Sequence, residues 1–268
     1  MIRIQFDTQS YYYMNQIAII TPAGSDSRQL LDTAGSIYNL SNTAPKLNIK
    51  WVIVTNNGFS IQPDKIMVGP NTEIDIYDIN PISSRSAARN FALNVISETP
   101  EHYVIFIDAG DLISLNIERI ILDINEEYDM ITCRSAIADN YGNLTTRENI
   151  PMFLKHIINP FFLGGVIIKR HAIRDIKFHE GRREDWKFWL EILETKPRLA
   201  KTKHISYTYT IKSISDHIRR RLSHIHDQYL FFHQYLNKSV LLSLISLAMH
   251  YLLLVSIWAL RKLRILLK

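Results

Sequence analysis

Short apolar segments rich in Ile and Val recur along most of the chain. Four of them, at residues 16–22, 50–57, 102–108 and 128–137, show no strict alternation of apolar and polar positions. This pattern is typical of strands that are covered on both faces. A fifth segment, TEIDIYDI at 72–79, does alternate, and it predicts a more peripheral strand.

Amphipathic helical patterns lie between these segments. Apolar residues recur every three or four positions over 27–42 and over 84–99, as in helices that pack one face on a sheet. A third pattern, REDWKFWLEILE at 183–194, carries acidic residues near its start, where the helix dipole favours them. Strands that alternate with helices predict an α/β fold with a mostly parallel central sheet flanked by helices.

Polar or glycine-containing loops follow three of the predicted strands: TPAGSDS, TNNGFS and DAGD. In open parallel sheets, ligands bind outside the carboxyl ends of the strands. Asp108 and Asp111 stand at such an end, where they could form a ligand site. Asp and Gly are also ordinary turn residues, so the sequence pattern alone leaves a plain turn open as well.

Five segments, in order and at the expected spacing, resemble a GT-A fold glycosyltransferase of inverting family 2. They are IAIITPAGSDSRQLLDTAGSIYNL, WVIVTNNGFS, SRSAARNFALNVIS, YVIFIDAGD and GGVIIKRHAIRDIKFHEGRREDWKFWLEIL. The resemblance implies a GT-A nucleotide-diphospho-sugar transferase fold over residues 1–215. It also implies an enzyme of cell-surface polysaccharide synthesis. Such enzymes transfer a sugar, with inversion, from a nucleotide-diphosphate sugar to a glycan or lipid-linked acceptor.

The resemblance assigns roles to individual residues. Asp185 would be the general base that removes a proton from the acceptor hydroxyl, with helix capping as the structural alternative. Glu184 and Trp186 would contact the acceptor, although aromatic residues at helical spacing more often pack in a core. The residues implied in donor binding are Thr21, Pro22, Asn56, Asn57, Arg89, Asp108 and Asp111.

The same resemblance implies a divalent cation, Mn²⁺ or Mg²⁺, held by Asp108 and Asp111. The cation would neutralise charge on the leaving nucleotide diphosphate. Two departures from the family pattern bear on this expectation. Gly110 stands where the motif carries an aspartate, and Asn56 and Asn57 stand where the family has acids that contact the base.

These departures support one alternative function, a catalytically decayed protein that binds sugar or acts as a scaffold in a membrane assembly complex. A nucleotidyltransferase is disfavoured. Its triphosphate would need a glycine-rich, basic loop after the first strand, and TPAGSDSR offers only Gly24 and Arg28.

Residues 216–268 form a basic, apolar region that we expect to be helical and membrane-associated. They carry eight Lys or Arg and two Asp, a net charge of +6, whereas the whole chain is +5. The uncharged segment 239–260 is just long enough, as a helix, to cross a bilayer. Its polar stripe, which includes Ser243 and His250, suits a helix that lies in the interface equally well. A soluble core helix is a third possibility.

The distribution of charge and apolar residues indicates which class of partner the protein binds. A near-neutral body with a basic, apolar tail favours a membrane surface over nucleic acid. Cys133 is the single cysteine and cannot form an internal disulfide. The N-terminal sequence lacks the features of a secretory signal. We therefore expect the protein at the cytoplasmic face of the cell membrane, either peripheral or with a single span.

Overall fold

A computed structural model describes residues 2–4, 15–24, 27–55, 66–79, 84–98, 103–123, 127–138, 144–147, 152–210 and 225–266. The chain divides into two compact units. Residues 1–149 and 161–212 form the first unit, and residues 150–160 and 213–268 form the second.

The strands of the first unit form one sheet. In chain order they are β1 Ile2–Ile4, β2 Asn15–Ala23, β3 Leu47–Thr55, β4 Thr72–Asp78, β5 Tyr103–Phe106, β6 Leu112–Ile113, β7 Met130–Ala138, β8 Leu144–Arg147, β9 Val166–Lys169 and β10 Leu199–Thr210. Across the sheet the order is β1-β4-β3-β2-β5-β9-β7-β10-β6, and β8 pairs with β7. The helices are α1 Ser27–Thr43, α2 Arg85–Val95, α3 Ile117–Asp123, α4 Arg170–Ile173 and α5 Glu184–Glu194.

The predicted parallel arrangement is confirmed where the candidate site lies. Strand β2 runs parallel to both β3 and β5, and β3 runs parallel to β4. Strands β7 and β10 are parallel as well, but the sheet as a whole is mixed because antiparallel pairings also occur. Strand β9 runs antiparallel to both β5 and β7. An apolar run such as Val166–Lys169 indicates burial but carries no information on direction, so the sequence could not predict this reversal.

Both faces of the sheet centre are buried, which explains why the strands do not alternate. On one face, Ile19 shares a hydrophobic core with Leu30 of α1. On the other face, the ring of Phe106 packs edge-on against Phe188 and Trp189 of α5. Burial of each such side chain contributes about 1.5–3 kcal/mol. The two helical layers therefore hold the strands, and the loops that follow them, in place.

The three predicted helices are confirmed as α1, α2 and α5. Helix α2 begins after Ser84, whose hydroxyl accepts a hydrogen bond from the amide of Ala87 at 3.1 Å. It ends at Val95, and a short 3₁₀ turn continues to Glu98. This end is a few residues earlier than the apolar pattern predicts.

The second unit contains α6 Ile225–Leu230, a π-helical turn at Phe231–Tyr235 and α7 Val240–Leu266. His250 of α7 places Nδ1 2.7 Å from the carbonyl oxygen of Ile157. Across the residues that the structure describes, no helix combines the length and apolarity that a membrane crossing needs.

The two sides of α7 differ in burial. The polar residues Ser243, Ser246 and His250 are buried. The apolar residues around them are exposed, namely Val240, Leu241, Leu242, Leu244, Ile245, Met249, Leu252 and Val255. The helix therefore turns its polar stripe inward and its apolar side outward.

Candidate active site at the carboxyl edge of the sheet

The segment 108–111 follows β5 and forms a tight turn. The amide of Asp111 donates to the carbonyl oxygen of Asp108 at 3.0 Å. Gly110 has a φ of +99°, a backbone conformation that L side chains rarely adopt. An aspartate at position 110 would be strained in this turn. The backbone thus accounts for the glycine that replaces the acid of the family motif.

Thr33 of α1 holds this turn in position. Its hydroxyl donates to the carbonyl oxygen of Asp111 at 2.8 Å and accepts from the amide of Gly110 at 3.0 Å. Thr33 is fully buried. Sequence reasoning missed this residue, although a threonine beside the apolar stripe of α1 is a signal that could have found it.

Arg89 of α2 joins the end of β5 to the start of α5. Its guanidinium lies 2.5 Å from Oδ1 of Asp108 and 3.3 Å from Oε1 of Glu184. The Arg89 side chain is only 1% exposed, so its charge depends on these carboxylates. Burial opposes the ionisation of Asp108, but the charges of Arg89 and Arg85 outweigh it and hold the pKa of Asp108 below its ordinary value. Three predicted site residues are therefore brought together.

Arg85 lies on the outer side of the same cluster and was not singled out from the sequence. Its Nη1 is 3.3 Å from Oδ2 of Asp108, and its Nη2 is 3.5 Å from Oε1 of Glu184. Unlike the buried Arg89, its side chain is 66% exposed. Arg85 is the first residue of α2, directly after the cap at Ser84.

Asn90 follows Arg89 in the Ala-Arg-Asn signature and fixes the segment before α5. Its Nδ2 donates to the carbonyl oxygen of Phe178 at 2.8 Å, and its Oδ1 accepts from the amide of Phe178 at 2.7 Å. The Phe178 ring in turn stacks on Phe188, with 3.9 Å between ring centroids. Arg89 and Asn90 are consecutive in α2. Arg89 thus contacts Glu184, the first residue of α5, and Asn90 contacts the segment that leads into this helix.

Asp185, the candidate general base, is half-buried in the first turn of α5. Burial and the charge of Glu184 raise its pKa above the ordinary value, and Arg89 offsets part of this effect. A carboxylate with a raised pKa is a stronger proton acceptor, as a general base requires. Trp186 is fully buried, so its ring packs inside the protein and is not open to an acceptor sugar in this structure.

Asp111 is also largely buried, at 8% exposure. Its Oδ1 accepts a hydrogen bond from the amide of Thr210 at 3.3 Å. Burial, together with the charge of Asp108, raises the pKa of Asp111 to about 8. The carboxyl group therefore carries a proton at neutral pH.

The other predicted donor-binding residues are not placed in this cluster. Thr21 and Pro22 are buried in β2, and the Thr21 hydroxyl accepts from Nε1 of Trp51 at 2.9 Å. Asn56 and Asn57 lie outside the described residues.

The described residues do not fit a resident divalent cation. No group of three or more His, Cys, Asp or Glu among them could hold a metal ion. The two oxygens of Asp108 each face a guanidinium group, which would repel a cation at that position. Within the segment 108–111, the buried carboxyl of Asp111 is then the remaining acidic group that could bind a cation. The donor groups among the residues that the structure describes therefore do not match the cation that the resemblance implies.

Comparisons with solved structures identify the fold. The mannosyltransferase PcManGT from Pyrobaculum calidifontis, in complex with GDP-Man and Mn²⁺, is 13% identical with a TM-score of 0.61, over 92% of this chain and 76% of that one. TarS 1–349 from S. aureus in complex with UDP-GlcNAc is 15% identical with a TM-score of 0.57, over 74% of this chain and 59% of that one.

S. aureus TarS 1–349 by itself gives a TM-score of 0.56 at 15% identity, and the match covers 73% of this chain and 60% of that one. The chain thus spans about three fifths of that structure. No protein-family model matches the chain, and no curated protein matches it. Identities this low show the fold alone, and that fold is a glycosyltransferase fold.

Proposed function

We propose that the protein transfers a sugar, with inversion, from a nucleotide-diphosphate sugar to a glycan or lipid-linked acceptor in cell-surface polysaccharide synthesis. One observation carries the proposal: buried Arg89 joins Asp108, at the end of β5, to Glu184, beside the candidate base. These contacts connect the edge of the sheet where the donor would bind to the start of α5, which carries the candidate base. The resemblance to GT-A family 2 and the shared fold support this proposal.

Asp185 performs the proton transfer in this scheme. Its carboxylate accepts the proton of an acceptor hydroxyl while that oxygen forms a bond to the anomeric carbon. The bond from the anomeric carbon to the diphosphate oxygen breaks, and its electron pair stays on the diphosphate. A single displacement of this kind inverts the anomeric centre. The ion pair between Arg89 and Glu184 keeps the first turn of α5 in place for this step.

The donor is a nucleotide-diphosphate sugar of open identity. Related folds bind UDP, UDP-GlcNAc or GDP-Man, which supports this ligand class. One of them also contains Mn²⁺, and a divalent cation is what the resemblance implies. Because the donor groups among the described residues do not fit such an ion, the proposed transfer step does not involve it.

We also place the protein at the cytoplasmic face of the cell membrane. The exposed apolar side of α7 supports this location, because an amphipathic helix can lie in the membrane interface with that side in the acyl region. Basic residues on both sides of the apolar segment, Lys238 and Arg261 among them, would contact anionic headgroups.

A catalytically decayed scaffold is the second candidate, and Gly110 favours it because the acid at the third position of the motif is absent. Transfer assays on the purified full chain separate the two functions. We expect nucleoside diphosphate release from one donor of a UDP-sugar and GDP-sugar panel, in the presence of extracted lipid-linked saccharides. Asp185→Asn should lower this rate about 100-fold or more while nucleotide binding is kept.

Glu191→Gln is the matched control, because Glu191 lies on the same helix and pairs with His179 away from the cluster. It should retain the wild-type rate. An Asp185→Asn variant that transfers sugar as fast as the wild type would exclude Asp185 as the base. A wild-type chain that binds nucleotide sugars but never turns them over would favour the scaffold.

A further inference from the structure

We propose that Arg85, rather than a metal ion, supplies the mobile positive charge that binds the donor diphosphate and stabilises it as a leaving group. This inference rests on the proposed glycosyl transfer and specifies how its donor is held. Arg85 was not among the residues that the sequence resemblance implied.

The reaction needs a positive group at the diphosphate. When the bond to the anomeric carbon breaks, its electron pair moves to a diphosphate oxygen that is already part of an anion. The candidate edge is itself acidic, with Asp108, Glu184 and Asp185 close together. A diphosphate that enters this edge without a cation would meet strong electrostatic repulsion.

The turn at 108–111 argues against a metal ion in this role. Gly110 has a φ of +99°, a backbone conformation that strains any L side chain. The acid that the family motif carries at position 110 would therefore be strained in this turn. Both oxygens of Asp108 face guanidinium groups, and Asp111 is buried beneath the edge.

The two arginines of the cluster differ in a way that separates their roles. Arg89 is 1% exposed and is held between Asp108 and Glu184, so it stays in place as the counter-ion of these acids. Arg85 is 66% exposed and makes only longer contacts, of 3.3 and 3.5 Å, to the same two carboxylates. The carboxylates of Asp108 and Glu184 are only 31% and 12% exposed, but the guanidinium of Arg85 is largely in water, which screens its ion pairs. Arg85 can therefore leave these carboxylates more readily than the buried Arg89 can.

The position of Arg85 suits an anionic ligand. A guanidinium can donate two parallel hydrogen bonds to a phosphate, and it keeps its protons throughout the transfer. Arg85 also opens the eleven-residue helix α2, whose N-terminal dipole adds positive potential at the same place. When Arg85 turns toward the diphosphate, Arg89 still neutralises Asp108.

The test is calorimetric titration of the full chain in detergent with UDP, UMP, GDP and GMP, in EDTA and again with Mn²⁺. We expect the wild type to bind one diphosphate in EDTA and to gain less than about twofold from Mn²⁺. Arg85→Gln should weaken diphosphate binding about tenfold or more and monophosphate binding less, because the lost contact is to the second phosphate. The diphosphate affinity of Arg85→Lys should lie between those of the wild type and Arg85→Gln. Lysine keeps the positive charge but cannot donate two parallel hydrogen bonds to a phosphate.

Arg119→Gln is the matched control. Arg119 is 69% exposed and pairs with Asp123 on the surface of α3, much as Arg85 pairs with Asp108. It should bind as the wild type does. Diphosphate binding that disappears in EDTA and returns with Mn²⁺, or an Arg85→Gln variant with wild-type affinity, would overturn the inference and leave the proposed function standing. A folded wild type that binds no nucleotide in either condition would overturn both.

Discussion

The guanidinium of Arg89 lies 2.5 Å from the carboxylate of Asp108 and is almost wholly out of water. This pair ties α2 to the end of β5, and a further contact to Glu184 extends the tie to α5. A buried charge that loses its partner costs more than the intact pair contributes. The fold and the candidate site are therefore stabilised by the same ion cluster.

Replacement of Arg89 by methionine tests this dependence. Arg89→Met leaves Asp108 and Glu184 without their buried counter-ion, and we expect it to lower the free energy of unfolding by about 3 kcal/mol. Urea denaturation measures the change. Arg119→Met, which breaks only an exposed pair, should change stability by less than about 0.5 kcal/mol. Equal effects of the two substitutions would contradict the role of the cluster.

The raised pKa of Asp111 predicts that this residue lowers the stability of the protein as the pH rises. A salt-bridged carboxylate has the opposite effect. Its pKa is about 8 in the folded protein, whereas an unfolded Asp titrates near about 4. Between these values the folded chain keeps a proton that the unfolded chain has released, so this residue lowers stability as pH rises. Asp111→Asn keeps an oxygen for the amide of Thr210. It should therefore be more stable than the wild type at pH 8 and similar to it at pH 4.

Chemical denaturation at pH 4, 6 and 8 measures this difference. Asp129→Asn serves as a control of opposite sign, because hydrogen bonds from Arg198 lower the pKa of Asp129. That substitution should destabilise the protein at neutral pH, and the loss should shrink as the pH falls through the acidic range. If the Asp111→Asn variant showed the wild-type decline between pH 4 and 8, Asp111 would not be the residue that holds the proton.

Asn90 should act as a positioning residue for the base. Asn90→Ala removes both hydrogen bonds to Phe178, and we expect it to lower the free energy of unfolding by about 1–2 kcal/mol. Because the segment before α5 loosens, sugar transfer should fall about tenfold while nucleotide affinity is nearly unchanged. Asn90→Asp can still accept from the Phe178 amide and should be intermediate in transfer rate. The exposed Asn94, on the same helix, gives the control Asn94→Ala.

The exposed side of α7 should be needed for binding to lipid. Replacement of Leu241, Leu244 and Ile245 by glutamine in the full chain should reduce its flotation with anionic vesicles. Each substitution should weaken the free energy of binding to the vesicles by about 1 kcal/mol. Glutamine at Leu115 and Leu144, which are exposed elsewhere, is the control and should leave flotation unchanged. Equal flotation of both variants would mean that α7 does not bind the membrane.

The elements around the site were largely predictable from the sequence, because strands covered on both faces and helices with one apolar stripe leave clear patterns. The direction of each strand was not predictable, and β9 runs antiparallel to both of its neighbours. The assignment of Asp108 and Arg89 to one donor site came from a resemblance rather than from spacing, and their ion pair was found only in the structure. Arg85 and Thr33 escaped notice because their roles depend on neighbours that are distant in the chain.

Titration of the full chain with UDP, GDP and other nucleoside diphosphates tests the central claim most directly. The account predicts that one of them binds at a single site and that Arg85→Gln, with folding verified by circular dichroism, weakens this binding about tenfold or more. Failure of a folded wild-type chain to bind any of them would contradict the account. The turn at 108–111 would then be structural only, and the scaffold function would take the lead.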